Sequence, residues 1–310
     1  MDYAATYDRY LRAVNTAIAE HPLLRGGEDM QTGVSASAPA DGTIPEPLRS
    51  AMRYSLLLPG KRIRPVLLLA ACHLLSDDWE AALPYAVGLE MIHTYSLIHD
   101  DLPALDNDSL RRGKPANHIV FGENVAILAG DGLYSLALET MLAAAQATGG
   151  AGALAAVLEI AVRAGVRGMI AGQTLDVKLE GTQPRKDMVH YIQRHKTGDL
   201  LAAPLAAGLL LAGASQSQLA AGKAYGVKLG HAFQIVDDLL DLRGNEALLG
   251  KQTGMDEKRG KMTWPAVYGE ETARADAQRL VLEAKEALSV FGERAAFLQA
   301  LADATLTRVS

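Results

Sequence analysis

The sequence predicts an all-α fold, one large domain over residues 1–310 with antiparallel helices around a central cavity. Three observations carry that expectation. Apolar residues recur at helical spacing through most of the chain, and the alternation of a half-buried strand is hard to find. Aromatic residues make up only 5%, while Ala and Leu are abundant; strands would favour β-branched and aromatic side chains. No second linker and no repeat of fixed period interrupts the chain, which argues against a two-domain or solenoid architecture.

The first element is a helix over Tyr3–His21. Arg25–Pro47 follows, rich in Gly, Ala, Ser, Thr, Pro and acidic residues and nearly without large apolar side chains, so it reads as a flexible surface loop. Helices come next over Glu46–Leu58, Pro65–Leu75 and Glu80–His99, the last running into aspartates. Val125–Ala147, Ala153–Leu175 and the short Lys186–Arg194 continue the series. Leu200–Ala212 occupies the longest uncharged stretch; it is short for a bilayer span and contains Pro204, so it reads as a buried core helix. Ser215 opens Gln216–Leu242, and Gly292 separates Glu271–Ser289 from Glu293–Arg308.

Composition also excludes classes. A formal net charge of −6 argues against a nucleic-acid partner, so local basic clusters must be read as sites. The single cysteine, Cys72, cannot form an intramolecular disulfide, and it sits in an apolar run as a buried thiol. The N-terminus lacks the pattern of a secretory signal, and no integral membrane segment is expected. The expectation is a cytoplasmic protein.

Chemistry concentrates in two aspartate-rich segments, each ending an apolar helical stretch. The first is Asp100, Asp101 and Asp106, with Pro103 between them and Arg111 and Arg112 beyond. Carboxylates this close raise one another's pKa unless a cation resolves the repulsion, and forked guanidinium donors suit phosphate oxygens. His93 precedes Asp100 by two helical turns on the same face. The second segment is Gln234, Asp237, Asp238 and Asp241, set among Phe233, Ile235, Val236, Leu239 and Leu240; Asp237 and Asp241 share a helix face. Magnesium prefers oxygen ligands and is held by a few carboxylates plus substrate phosphates.

Three basic sets accompany them. Gly60-Lys61-Arg62-Ile63-Arg64-Pro65 crowds cations into a turn, and Pro65 stands where a helix could begin, so Lys61 and Arg64 are suited to an anion; read alone, the set is equally a solvated basic turn. Lys196 and Thr197 stand at a break before an apolar helix, where Thr197 could equally be an N-cap. Lys251 and Lys261 lie in Gly-rich loops able to close over phosphates, or to be ordinary surface loops. His99-Asp100 matches the dipeptide of HD-type phosphohydrolases, but the further histidines of that fold do not stand out.

Together these sets resemble the trans-isoprenyl diphosphate synthases (polyprenyl synthetases), the farnesyl and geranylgeranyl diphosphate synthase family, from about Glu46 onward. The resemblance implies an isoprenoid-synthase fold and two substrates as partners: isopentenyl diphosphate on Lys61, Arg64, His93 and Arg112, and an allylic diphosphate on Arg111, Lys196, Thr197, Gln234, Lys251 and Lys261. It implies Mg2+ ions bridging the diphosphate, on Asp100, Asp101 and Asp106 and on Asp237, Asp238 and Asp241. It also implies a homodimer and catalysis by head-to-tail prenyl transfer, with Asp100, Asp101, Asp106, Arg111, Lys196, Asp237 and Lys251 at the reacting centre. Three departures stand out: Pro59 where a glycine is frequent, a longer Arg25–Pro47 loop, and a C-terminus less basic than in many relatives.

Tyr95 and Ser96 precede Asp100 by five and four residues, roughly 6–8 Å along a helix. A prenyl tail growing down that helix meets Tyr95 early. The residues inserted between Asp101 and Asp106 are also the pattern of bacterial-type farnesyl synthases, so a C15 product is expected, with C20 as the alternative. A terpene cyclase would leave the isopentenyl set unexplained, and a noncatalytic subunit would be expected to have lost aspartates.

Overall fold

The computed structural model describes residues 2–25, 39–243 and 260–307. Fourteen α-helices and a few tighter or wider turns make up nearly all of the described chain. In order they are α1 (Tyr3–Ala19), α2 (Leu48–Leu57), α3 (Ile63–His73), α4 (Leu83–Asp100), α5 (Asn117–Phe121), α6 (Glu123–Thr148), α7 (Ala151–Ala164) and α8 (Met169–Lys178). Then come α9 (Lys186–Ile192), α10 (Asp199–Leu211), α11 (Gln216–Arg243), α12 (Trp264–Tyr268), α13 (Glu270–Ala287) and α14 (Ala296–Leu306). The expected all-α class is what forms.

The core follows from apolar patterning. Helix α10 is buried on every side from Asp199 to Leu209, packed among α3, α7 and α11, as its uncharged sequence requires. Helix α4 lies along α6, and its buried residues run from Tyr85 to Ile98. Helix α6 is the one described helix long and apolar enough by composition to cross a membrane, a feature absent from the sequence expectation; it packs against α4 and α7 within the bundle.

Four local features differ from the sequence expectation. Ala153–Leu175 is two helices, because the chain reverses at Gly165–Gly168; a β-carbon on Gly168 would fall 2.0 Å from Arg163 O, so only glycine fits. Helix α3 begins at Ile63, two residues before Pro65. A two-residue β-ribbon pairs Leu110–Arg111 with Lys114–Pro115, in register Leu110↔Pro115 and Arg111↔Lys114, around a turn in which Arg112 and Gly113 both have positive φ. Residues 193–198 are neither a break nor a cap but one π-helical turn joining α9 to α10. Of the expected surface loop, residues 26–38 lie outside the described set, and the mostly exposed stretch 39–47 forms turns before α2.

The turn before α3 is locked from inside. Arg62, φ 47°, is buried and donates Nη1 to Glu90 Oε1 at 2.7 Å, Nη2 to Leu56 O and Leu58 O at 2.8 Å each, and Nε to Asn15 Oδ1 at 3.2 Å. One guanidinium thus ties α1, α2 and α4 to the entry of α3. Arg62→Met leaves the buried Glu90 carboxylate without its closest partner, and is expected to lower the unfolding free energy by about 3–5 kcal/mol in urea titration. A loss below about 1 kcal/mol, the size of an exposed pair, would show that Arg62 is not the lock.

Candidate active site

A cavity of about 990 Å³ opens between α3, α4, α8, α10 and α11, at the upper end of the size of small-molecule sites. Every site residue expected from sequence lines it, except Asp101 and also Lys251, which lies outside the described residues.

One wall is cationic. Lys61 and Arg64 come from the locked turn and the start of α3, His93 from mid-α4, and Arg112 from the ribbon turn. Arg64 Nη1 lies 3.3 Å from His93 Nε2. Burial, then the neighbouring Arg64 and Arg112, hold His93 well below the usual histidine range. The imidazole is therefore neutral, and since arginine only donates, Nε2 accepts and the proton sits on Nδ1. Arg64 is itself lowered by burial to about 10, which still leaves it charged at neutral pH. Arg112 donates Nη1 to Leu58 O at 3.1 Å and lies 3.6 Å from Glu90 Oε1. Glu90, buried among these arginines, balances their charge.

The same cavity is lined by the carboxylates. After α4 the chain folds back so that Asp106 N–H donates to Asp100 O at 2.8 Å, which brings the first and last aspartates of the segment together. Burial and the neighbouring Asp106 raise the Asp100 pKa, against Lys196 and Arg111; Gln173 Nε2 donates to Asp100 Oδ1 at 2.8 Å. Asp101 points elsewhere: its buried carboxylate is gripped by the Arg111 fork, with Nε at 2.9 Å from Oδ1. Asp101, expected from sequence as a metal ligand, orients Arg111 here and lies outside the cavity lining.

Lys196 and Thr197 ride on the π-helical turn. Its wide bore aims both side chains into the cavity, and Gly172 lets α8 close on it; a β-carbon there would fall 2.1 Å from Lys196 N. Lys196 Nζ donates to Asp176 Oδ2 at 2.5 Å, and Lys261 Nζ lies 3.3 Å from Asp106 Oδ1 and 3.8 Å from Asp176 Oδ2. Burial opposes the Lys196 charge, but Asp176 and Asp100 outweigh it and hold the ammonium above its usual range. Thr197 caps nothing; its Oγ1 donates to Gln234 Oε1 at 2.5 Å.

On α11, Asp237 and Asp241 line the cavity with Asp238. The Asp238 carboxylate accepts from Gln234 Nε2 at 2.8 Å, Gln193 Nε2 at 2.7 Å and the Trp264 N–H at 2.8 Å. These donors make Asp238, expected from sequence as a metal ligand, also the anchor joining α11, the π-turn and the start of α12. Sequence reasoning missed Gln173 and Asp176, although they share one face of α8 at a three-residue spacing within an otherwise apolar stretch. Beyond the charges the cavity is apolar, walled by Met169, Ile170, Ile192, Leu200 and Phe233, with Tyr95 and Ser96 on α4.

All the candidate metal donors are carboxylate oxygens, a hard donor set that suits Mg2+. Among the described residues no three potential metal-ligating side chains form a cluster. A basic set, carboxylates paired with lysines and apolar side chains, all lining one cavity, define an all-α isoprenoid-synthase-type site.

The comparisons agree. Residues 45–296 match the family model of the polyprenyl synthetases. The chain is 44% identical, over 83% of its length and 86% of the relative's, to a geranylgeranyl diphosphate synthase of Cyanophora paradoxa. Its fold matches an FPP/GFPP synthase from Zymomonas mobilis with TM-score 0.82 and 34% identity, covering 98% of each chain. It also matches a Helicobacter pylori geranyltransferase complexed with magnesium and isoprenyl diphosphate, TM-score 0.80 and 29% identity, over 99% of this chain and 97% of that one. The chain belongs to the polyprenyl synthetase family of trans-prenyltransferases.

Asp176→Asn keeps the volume but removes the charge that Lys196 and Lys261 share. It is expected to lower prenyl-transfer turnover roughly 10–100-fold, as loss of a supporting partner does, with the folded state retained. Wild-type turnover in this variant would mean the two lysines hold their places without it.

Proposed function

We propose that this chain condenses isopentenyl diphosphate with dimethylallyl and geranyl diphosphates to give farnesyl diphosphate and pyrophosphate. The observation that carries the reading is that one cavity is lined both by the basic set Lys61, Arg64, His93 and Arg112 and by Asp100, Asp106, Asp237 and Asp241, with apolar side chains beyond them. A purely anionic or purely cationic pocket could not hold two diphosphates in distinct roles.

In this reading Lys61, Arg64, His93 and Arg112 hold isopentenyl diphosphate, with neutral His93 offering a donor without adding charge. Asp100, Asp106, Asp237 and Asp241 hold Mg2+, while Asp101 and Asp238 position Arg111 and Gln234. Magnesium, when bound, neutralises diphosphate and makes it a better leaving group. Arg111, Lys196, Lys261 and, outside the described residues, Lys251 stabilise the charge that grows on the allylic diphosphate as its C–O bond breaks. Thr197 and Gln234 orient the same diphosphate. The isopentenyl double bond attacks the allylic cation, which leaves a tertiary cation on the isopentenyl unit; the carbon beside that cation gives its proton to the departing pyrophosphate and a new double bond forms. Apolar walls keep out the water that would quench the cation.

The C15 product rests on Tyr95, whose ring lines the slot one and a half turns before Asp100. Ser96 beside it donates Oγ to His93 O at 2.9 Å and so leaves little bulk in the path. A C20 product is the second reading, favoured by the name of the Cyanophora paradoxa relative. A homodimer fits the exposed apolar residues Ile127, Leu128 and Leu142 on α6 and Leu154 and Leu158 on α7, which a second copy would cover; solution mass decides it. A cytoplasmic location belongs to the same proposal.

Product chromatography after incubation with Mg2+, labelled isopentenyl diphosphate and dimethylallyl diphosphate tests both parts. Wild type is expected to stop at C15 and Tyr95→Ala to run on to C20 or beyond. No elongation sinks the activity; an unchanged product in Tyr95→Ala sinks the floor.

A further inference from the structure

The turn that carries Lys61 is held at three successive residues, each by a different partner. Arg112 lies against Gly60, where a β-carbon would fall 2.7 Å from its Cζ. Arg62 is the buried lock described above. Between them, the Lys61 carbonyl accepts a hydrogen bond from the Tyr7 hydroxyl of α1 at 2.5 Å, across 54 residues of sequence. Burial, then the neighbouring Tyr3 and Glu90, raise the Tyr7 hydroxyl well above the usual tyrosine range, so it stays protonated and donates. Its ring is placed in turn by others. The ring centres of Tyr3 and Phe297 lie 6.0 and 6.3 Å away, and those two rings stack on each other at 5.4 Å. Tyr7 lines no part of the cavity, and the proposed mechanism makes no use of it.

We propose that Tyr7 is a positioning residue for isopentenyl diphosphate, which acts through Lys61 by fixing the peptide from which that lysine leaves the turn. The inference rests on Lys61 as an isopentenyl diphosphate ligand. The Lys61–Arg62 peptide leads directly into the left-handed φ of Arg62, a conformation that an L-residue keeps only where its surroundings hold it. The Arg62 side chain holds the far end of that peptide, and the Tyr7 hydroxyl holds its oxygen. Without the hydroxyl the peptide can rotate about its two flanking bonds, and the long Lys61 stem spreads over more directions before it meets a diphosphate. Ordering the lysine then falls on the ligand, which weakens isopentenyl diphosphate in particular. Asp100, Lys196, Gln234 and Asp237 stand on α4, the π-turn and α11, and keep their places.

The test is steady-state kinetics of Tyr7→Phe, Tyr10→Phe, Lys61→Met and the Tyr7→Phe/Lys61→Met double variant beside wild type, each substrate varied against a saturating amount of the other. Tyr7→Phe keeps the ring and its packing, so the fold is retained. It is expected to raise KM for isopentenyl diphosphate roughly three- to tenfold, the size of one hydrogen bond, with KM for dimethylallyl diphosphate and kcat within about twofold of wild type. Tyr10→Phe removes another α1 hydroxyl, hydrogen-bonded to His73 Nδ1 at 2.5 Å and not to the turn, and should leave both KM values unchanged. The double variant should match Lys61→Met, since the hydroxyl has no lysine left to place. A wild-type isopentenyl KM in Tyr7→Phe, an equal rise for both substrates, or the same rise in Tyr10→Phe refutes the positioning role, as does a double variant worse than Lys61→Met. If Lys61→Met keeps the wild-type isopentenyl KM, the Lys61 assignment falls and this inference with it; a wild type that elongates nothing sinks the activity itself.

Discussion

The structure depends on one constraint: carboxylates carried deep between apolar helices must each be matched by positive charge or by donors. Asp176 meets Lys196 and Lys261, Asp106 meets Lys261, Asp101 meets Arg111, and Glu90 meets Arg62 and Arg112. Each pair joins different elements, so the charge balance also sets how α4, α8, α11 and the π-turn stand around the cavity. Breaking such a pair on one side leaves an unmatched buried charge, which costs more than the pair contributes as a whole. The two aspartate segments, at the end of α4 and on α11, line the same cavity as Lys196 and Lys261.

The same constraint separates residues that touch ligand from residues that support them. Asp100 and Asp106 face the cavity, while Asp101, one residue from Asp100, turns back to fix Arg111. Asp238 does for Gln234 what Asp101 does for Arg111. A helix turns by about 100° per residue, so neighbouring carboxylates must part company in this way. In the function proposed, the polar residues of the cavity bind diphosphates, and its apolar part, ended by Tyr95, takes the hydrocarbon.

Much of this was legible in the sequence. The helical class followed from spacing and composition, and the aspartates stood out because they interrupt apolar runs. What was hidden was geometric. Arg62 passed as one more cation of a basic turn, and only its left-handed backbone and burial reveal a lock. Lys196 and Thr197 looked like residues at a break, because a π-helical turn leaves no mark in residue type. Gln173 and Asp176 passed as ordinary polar positions of a helix until α8 was seen to lie against the π-turn. The split of Ala153–Leu175 was signalled by Gly165 and Gly168, which apolar periodicity alone overrode.

The central claim is that two diphosphates are held by two residue sets of one cavity. The most direct measurement is a crystal structure of the protein with Mg2+, isopentenyl diphosphate and an unreactive allylic diphosphate analogue. The account predicts the allylic diphosphate between Asp100 and Asp106 on one side and Asp237 and Asp241 on the other, with isopentenyl diphosphate on Lys61, Arg64, His93 and Arg112. Both diphosphates on one set, or either bound outside the cavity, would contradict it.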